Sequence, residues 1–111
     1  VQNLSVLLRL ADRFGADGDA KRAWACDVIA AGFGAYQTHV EEAPGPFSLG
    51  AQVTLPDLFL VSQLYNARRF DLDLSPYPRL LDIEAALMEL EAFRVSHPHV
   101  QPDTPDELRE G

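Results

Sequence analysis

The sequence predicts an all-α domain, and three observations carry that prediction. Apolar residues recur at spacings of three and four along most of the chain, the period of one face of a helix. No stretch alternates apolar and polar residues over the length of a strand, and no Asn-Gly pair marks a hairpin. The stretch 53–78, VTLPDLFLVSQLYNARRFDLDLSPYP, opens with a helix start, closes with a helix stop, and carries no charge over 58–67.

Bulk properties bound the remaining possibilities. A chain of 111 residues is one domain with a single modest core. A net charge of −8 argues against gripping nucleic acid or an anionic membrane through a basic face. No apolar run approaches the roughly 20 residues of a membrane span, and the opening residues do not read as a secretory leader. The single Cys26 excludes an internal disulfide and fits a reducing compartment, so the expected location is cytoplasmic.

Leu4, Leu7, Leu8, Ala11 and Phe14 predict a first helix, stopped at Gly15. No cap is read before it, and Val1 is not a start methionine, so the chain is expected to begin inside an element. Residues 15–18 form a turn with Asp17 and Asp19 as candidate caps, and a long helix follows over about 20–42. One stripe on it holds Trp24, Val28, Ala31, Ala35 and His39; an adjoining one holds Ala25, Ile29, Phe33, Tyr36 and Val40. Two apolar stripes predict more than one neighbour. Gly32 and Gly34 each cost a helix about 1 kcal/mol relative to Ala, and a close helix approach is the expected reason for them. Gly32-Phe33-Gly34 is not a phosphate loop, since it neither follows a strand nor opens a helix. The loop 41–52 carries Pro44, Gly45, Pro46 and Gly50, and Phe47 and Leu49 are expected to fold back onto the core.

The central helix starts at Thr54. Asp57 stands three residues on, a capping box with Asp in the usual Glu position, and Val53 and Leu58 occupy the staple positions. Pro56 falls in the first turn, where a missing N–H costs little. Apolar residues cover every side of the wheel, which predicts a helix buried all round. A fourth helix, started by Pro78, carries Leu80, Leu81, Ile83, Ala86, Leu87 and Leu90. Leu90, Phe93 and Val95 predict a short last helix ended by Pro98, and 101–111 reads as an extended polar tail.

Few residues offer chemistry. Arg68 and Arg69 lie in the last turn of the central helix, where any cation stabilises the macrodipole; a guanidinium facing a cleft would instead fork a carboxylate. Asn66, three residues earlier, shares roughly the same face as Arg69. Gln2, Asn3 and Ser5 read as a solvated or capping helix end. Asp57 is explained by its cap and not by catalysis. His97 and His99 lack a third ligand at metal spacing and read as exposed tail residues. Cys26 reads as a small buried hydrophobe.

The segments QNLSVL, NARRF, DLSPYP and HP-x-x-QPDTP together resemble the C-terminal helical domain of zeta-class glutathione transferases, and within that class the maleylacetoacetate isomerases. The resemblance spans nearly the whole chain. It implies about five helices bundled around the central one, and a thioredoxin-like domain before this chain that binds glutathione and supplies the Ser and Cys stabilising its thiolate. It implies a homodimer acting on a small dicarboxylate in aromatic amino-acid catabolism: the thiolate adds to a cis double bond, the bond rotates, and elimination gives the trans isomer. Arg69, the arginine immediately before Phe, matches the position implicated in holding the acidic substrate; by its helical spacing from Arg69, Asn66 is expected to line the same cleft. Asn3, Leu4 and Ser5 match glutathione contacts, and no catalytic residue or metal ligand falls in this chain. Maleylpyruvate isomerase or a general zeta-class transferase is the near alternative, and a non-catalytic helical docking module the distant one.

Overall fold

The computed structural model describes residues 3–109. Five helices follow in order: α1 (Leu4–Phe14), α2 (Gly18–Val40), α3 (Leu55–Arg69), α4 (Pro78–Met88) and α5 (Glu91–Val95). Two 3₁₀ turns, Pro98–Val100 and Asp106–Leu108, complete the path. The described residues hold no strand beyond an isolated bridge between Phe47 and Gly50. None of their helices is long and apolar enough to cross a membrane.

The start of α1 corrects the sequence reading. Asn3 caps it, its Oδ1 accepting from the Val6 N–H at 3.3 Å and the Ser5 hydroxyl at 3.0 Å. An Asn before an apolar run is an ordinary N-cap, so the helix does begin where its periodicity begins. Gly15 ends it as expected, in the left-handed region at φ 65°. Asp17 caps α2 through the Ala20 N–H at 2.8 Å.

The core is a three-helix affair. Ile29, Phe33 and Val40 of α2 meet Leu60, Leu64 and Ala67 of α3 and Leu80, Ile83 and Leu87 of α4. Tyr77, just before α4, ties the layers together: its ring meets Phe33 edge-on at 5.4 Å, and its hydroxyl donates to the Ala30 carbonyl at 3.2 Å.

Four expectations about this core are overturned. Only one α2 stripe is covered; Trp24, Ala31, Ala35 and His39 of the other are exposed. A Cβ on Gly32 or Gly34 would meet nothing within 4 Å, so no close helix approach accounts for them. Nor is α3 buried all round: Leu55 and Phe59 are each 66% exposed and Leu58 is 49% exposed. An apolar surface is buried only where something lies against it, and no described element covers this side of α3. In the loop, Phe47 does pack on the core, but Leu49 is exposed.

The loop and the start of α3 hang on one carboxylate. Asp57 is fully buried, and the capping box forms. Asp57 Oδ2 accepts the Thr54 N–H at 2.8 Å and the Thr54 hydroxyl at 3.2 Å, while Oδ1 accepts the Ser48 N–H at 2.9 Å and the Ser48 hydroxyl at 2.6 Å. Ser48 has spent its only O–H on Asp57, so the Tyr36 hydroxyl bonded to it is the donor in that pair. Arg79 holds the loop's other side, donating to the carbonyls of Val40 (3.1 Å) and Gly45 (2.9 Å). Gly45 is required in the turn: φ is +93°, and a Cβ would stand 2.6 Å from the Gly50 backbone. The segment after α5 is held as well, with Thr104 buried and its hydroxyl donating to the Pro98 carbonyl.

Burial works against the charged form of Asp57, but the bonds from Ser48 and Thr54 outweigh it and hold its carboxyl below the usual range. A folded value below the unfolded one, about 3.9, gives a contribution fully present above about pH 4 and lost as pH falls through the folded value. Asp57→Asn is expected to lower stability at pH 7 by at least about 1.5–3 kcal/mol and to flatten the acid side of the profile. Urea midpoints measured from pH 7 down to pH 3 check this; a variant as stable as wild type at pH 7 contradicts it.

Candidate functional site

The C-terminal end of α3 separates two neighbouring arginines. Consecutive helical residues point about 100° apart, so Arg68 and Arg69 face different surroundings. Arg68 reaches α4 and makes a two-armed pair with Glu84, at 2.7 and 2.6 Å. The Glu84 bond holds the Arg68 guanidinium even more firmly protonated than usual. The Glu84 side chain is only 14% exposed, so Arg68 is a brace between α3 and α4. Arg69 is exposed and makes no hydrogen bond or ion pair with any described residue.

Arg69 stands between two depressions. One, about 270 Å³, is lined by Leu4, Leu7 and Leu8 of α1 with Lys21, Arg22 and Phe70. Arg22 is committed to Asp71 at 2.6 Å, and Asp71 sits in the left-handed region at φ 58° just past the helix end. The other, about 500 Å³, is lined by Tyr65, Arg68, His97, His99 and Leu108.

The sequence-predicted site residues are thus only partly assembled. Arg69 and Leu4 share the first depression, and Leu4 is 70% exposed. Asn66 is half-buried and lines neither depression. Asn3 and Ser5 are bonded to each other at the start of α1, and Gln2 lies outside the described residues. Thr54 and Asp57 meet at the start of α3, where Asp57 accepts from the Thr54 N–H and hydroxyl. Cys26 is half-buried, its S–H donating to the Phe70 carbonyl at 3.3 Å, which leaves it a packed thiol.

The histidines correct another expectation. His97 and His99 are half-buried, not exposed tail residues. Their rings meet Tyr65 edge-on at 5.7 and 5.6 Å, and each other at 4.8 Å. The Tyr65 hydroxyl is 3.3 Å from His99 Nε2. His99 stands 34 residues beyond Tyr65 in sequence, so no local spacing announces the cluster. Among the described residues no group of three or more His, Cys, Asp or Glu is arranged to hold a metal. A separate groove of about 260 Å³ between α2 and α3, lined by Val28, Gly32 and Phe59 among others, is apolar and offers no cation to grip an anion.

No family model matches the chain. The chain is similar to the maleylacetoacetate isomerase of Mus musculus, 43% identical over 109 residues, which is 98% of this chain and 48% of that protein. Its fold superposes on the holo structure of a bacterial zeta-class maleyl pyruvate isomerase with a TM-score of 0.89 at 42% identity, over 94% of this chain and 50% of the other. It also matches the maleylacetoacetate isomerase from Anaeromyxobacter dehalogenans 2CP-1, solved with dicarboxyethyl glutathione and citrate in the active site, with a TM-score of 0.86 at 46% identity over 94% of this chain and 47% of that one. The chain therefore spans about half the length of the relatives it matches.

The two arginines should separate in stability. Arg68→Ala leaves Glu84 poorly solvated and unpaired and is expected to cost about 1 kcal/mol or more. Arg69→Ala removes no hydrogen bond or ion pair to a described residue and is expected to stay within about 0.5 kcal/mol of wild type. Equal losses in urea denaturation would mean that both serve only as helix-end charges.

Proposed function

We propose that this chain, a homologue of the zeta-class maleylacetoacetate and maleylpyruvate isomerases along almost its whole length and built on the helical domain of a glutathione transferase, forms the acidic-substrate side of a glutathione-dependent cis–trans isomerase. The observation that carries this reading is the freedom of Arg69 beside a committed Arg68. A guanidinium with no hydrogen-bond or ion-pair partner among the described residues, at the rim of two depressions, is available to fork a carboxylate. The α3 macrodipole does not compete for it, because that field is diffuse and is served by Arg68 as well.

Glutathione, when bound, supplies the thiolate that makes the double bond rotatable. The residues present fit one edge of such a ligand. Leu4 is exposed next to Arg69, and Asn3, whose Oδ1 is taken by Val6 and Ser5, keeps its amide N–H groups as donors. What this chain contributes is orientation: Arg69 holds one carboxylate while the apolar wall of Leu4, Leu7 and Leu8 lies beside it. Cys26 is turned to a backbone carbonyl, so the reading requires a thiol-activating half from outside these residues. That half, a thioredoxin-like domain, would also cover the exposed apolar residues Leu4, Leu8 and Phe59. A cytoplasmic homodimer completes the reading.

Steady-state kinetics on the chain joined to such a glutathione-binding half tests it. Arg69→Ala is expected to raise KM for a maleyl dicarboxylate by roughly 10- to 100-fold, the loss of a charged hydrogen bond. Turnover of an uncharged haloarene should hardly change, and Arg69→Lys should restore only part, lacking the planar fork. The substrate assignment fails if Arg68→Ala and Arg69→Ala act alike on the dicarboxylate.

A further inference from the structure

We propose that the depression between the end of α3 and the segment 97–108 is a two-point dicarboxylate site, in which His97 takes the second carboxylate and thereby selects dicarboxylates over monocarboxylates. This rests on the reading of Arg69 as a carboxylate clamp and adds a specificity-determining residue to it. Its first ground is charge. The chain has nine Lys and Arg and three His against seventeen Asp and Glu. Two of those Arg and two of those His nevertheless line this one depression, and among the described residues no carboxylate lines it. Glu84, which neutralises Arg68, lies outside the lining.

The second ground is the tautomer of His97. Its Nδ1 accepts the His99 N–H at 3.3 Å. In the neutral ring the proton then sits on Nε2, which makes that atom a donor. The ring is held in place on two sides by its edge contacts with Tyr65 and His99. The backbone beneath it is fixed too, since Gln101 Nε2 donates to the carbonyls of Val95 at 2.8 Å and His97 at 3.1 Å. A donor placed in advance loses little freedom on binding.

The third ground is spacing. Tyr65, against which His97 rests, lies four residues before Arg69 on the same face of α3, roughly 5–6 Å away between Cβ atoms. Arg69 and the His97 ring therefore border the same depression. The depression of about 500 Å³ falls inside the ordinary range for small-molecule sites. A ligand forked by Arg69 reaches into the histidine depression on one side while the α1 wall remains on the other.

Calorimetric binding of maleate and of crotonate, a monocarboxylate of the same chain length, tests this on the protein, with near-UV circular dichroism checking the fold. Wild type should bind maleate more tightly. His97→Phe keeps a ring against Tyr65 but removes the donor; it should weaken maleate about tenfold or more and leave crotonate unchanged. His97→Gln, which restores an N–H donor, should recover part of the loss. Arg69→Ala should weaken both ligands. If His97→Phe weakens neither ligand, or both alike, while Arg69→Ala weakens both, the two-point site is refuted and the clamp stands. If Arg69→Ala changes neither, the clamp fails and this proposal with it. Should His97→Phe unfold, the wild-type His97 ring nitrogen signals decide: they should move with maleate and not with crotonate, and a ring unmoved by maleate overturns the assignment.

Discussion

A fully buried carboxylate has to be surrounded by donors, and meeting that demand at Asp57 shapes the rest of the molecule. Two backbone N–H groups and two hydroxyls converge on it, from Ser48 in the loop and Thr54 at the helix start. The loop is thereby tied to α3, and through the Tyr36 hydroxyl to α2. From Asp57 the helix runs as a rod with a rise of about 1.5 Å per residue, so the cap at one end determines where Tyr65, Arg68 and Arg69 emerge at the other. Packing of Leu60, Leu64 and Ala67 against α2 and α4 then fixes the rotation of the rod.

That rotation divides the labour between the arginines. The turn of α3 that aims Arg68 at Glu84 aims Arg69 away from α4. One guanidinium strengthens the contact between α3 and α4, and the other stays available at the surface. The same logic runs through α1 and α2. Leu7 and Ala11 are half-buried while Leu4, Leu8 and the Trp24 stripe stay open, so the bundle presents an apolar side as well as a cationic corner. The chain spans about half the length of the relatives it matches.

Much of this is legible in the sequence, for local reasons. The helix boundaries are written in Asp17, Gly15, Thr54 with Asp57, and Pro78, because caps and stops act within a turn of the chain. Asn3 carries the same signal; a cap so near the start of the chain is easily passed over. What pattern alone does not reveal is which apolar face is covered. The wheel of α3 and the stripes of α2 record where apolar residues are, while burial depends on neighbours that a periodicity cannot name. Long-range polar pairs are equally silent. Nothing in the spacing of Arg68 and Glu84, of Arg79 and the Gly45 carbonyl, or of Tyr65 and His97 distinguishes them from unrelated surface residues. The resemblance points to Arg69 without saying why its neighbour is unsuitable; the Glu84 pair supplies the reason.

The most direct measurement of that difference follows the two side chains themselves. In a ¹H–¹⁵N spectrum tuned to arginine side chains, the Nε–H signals of Arg68 and Arg69 report separately as maleate is added. The Arg69 signal is expected to shift in a saturable way while the Arg68 signal, held by Glu84, stays in place. Equal movement of both signals, or movement of Arg68 alone, would contradict the assignment of Arg69, rather than its neighbour, as the arginine on which the proposed function turns.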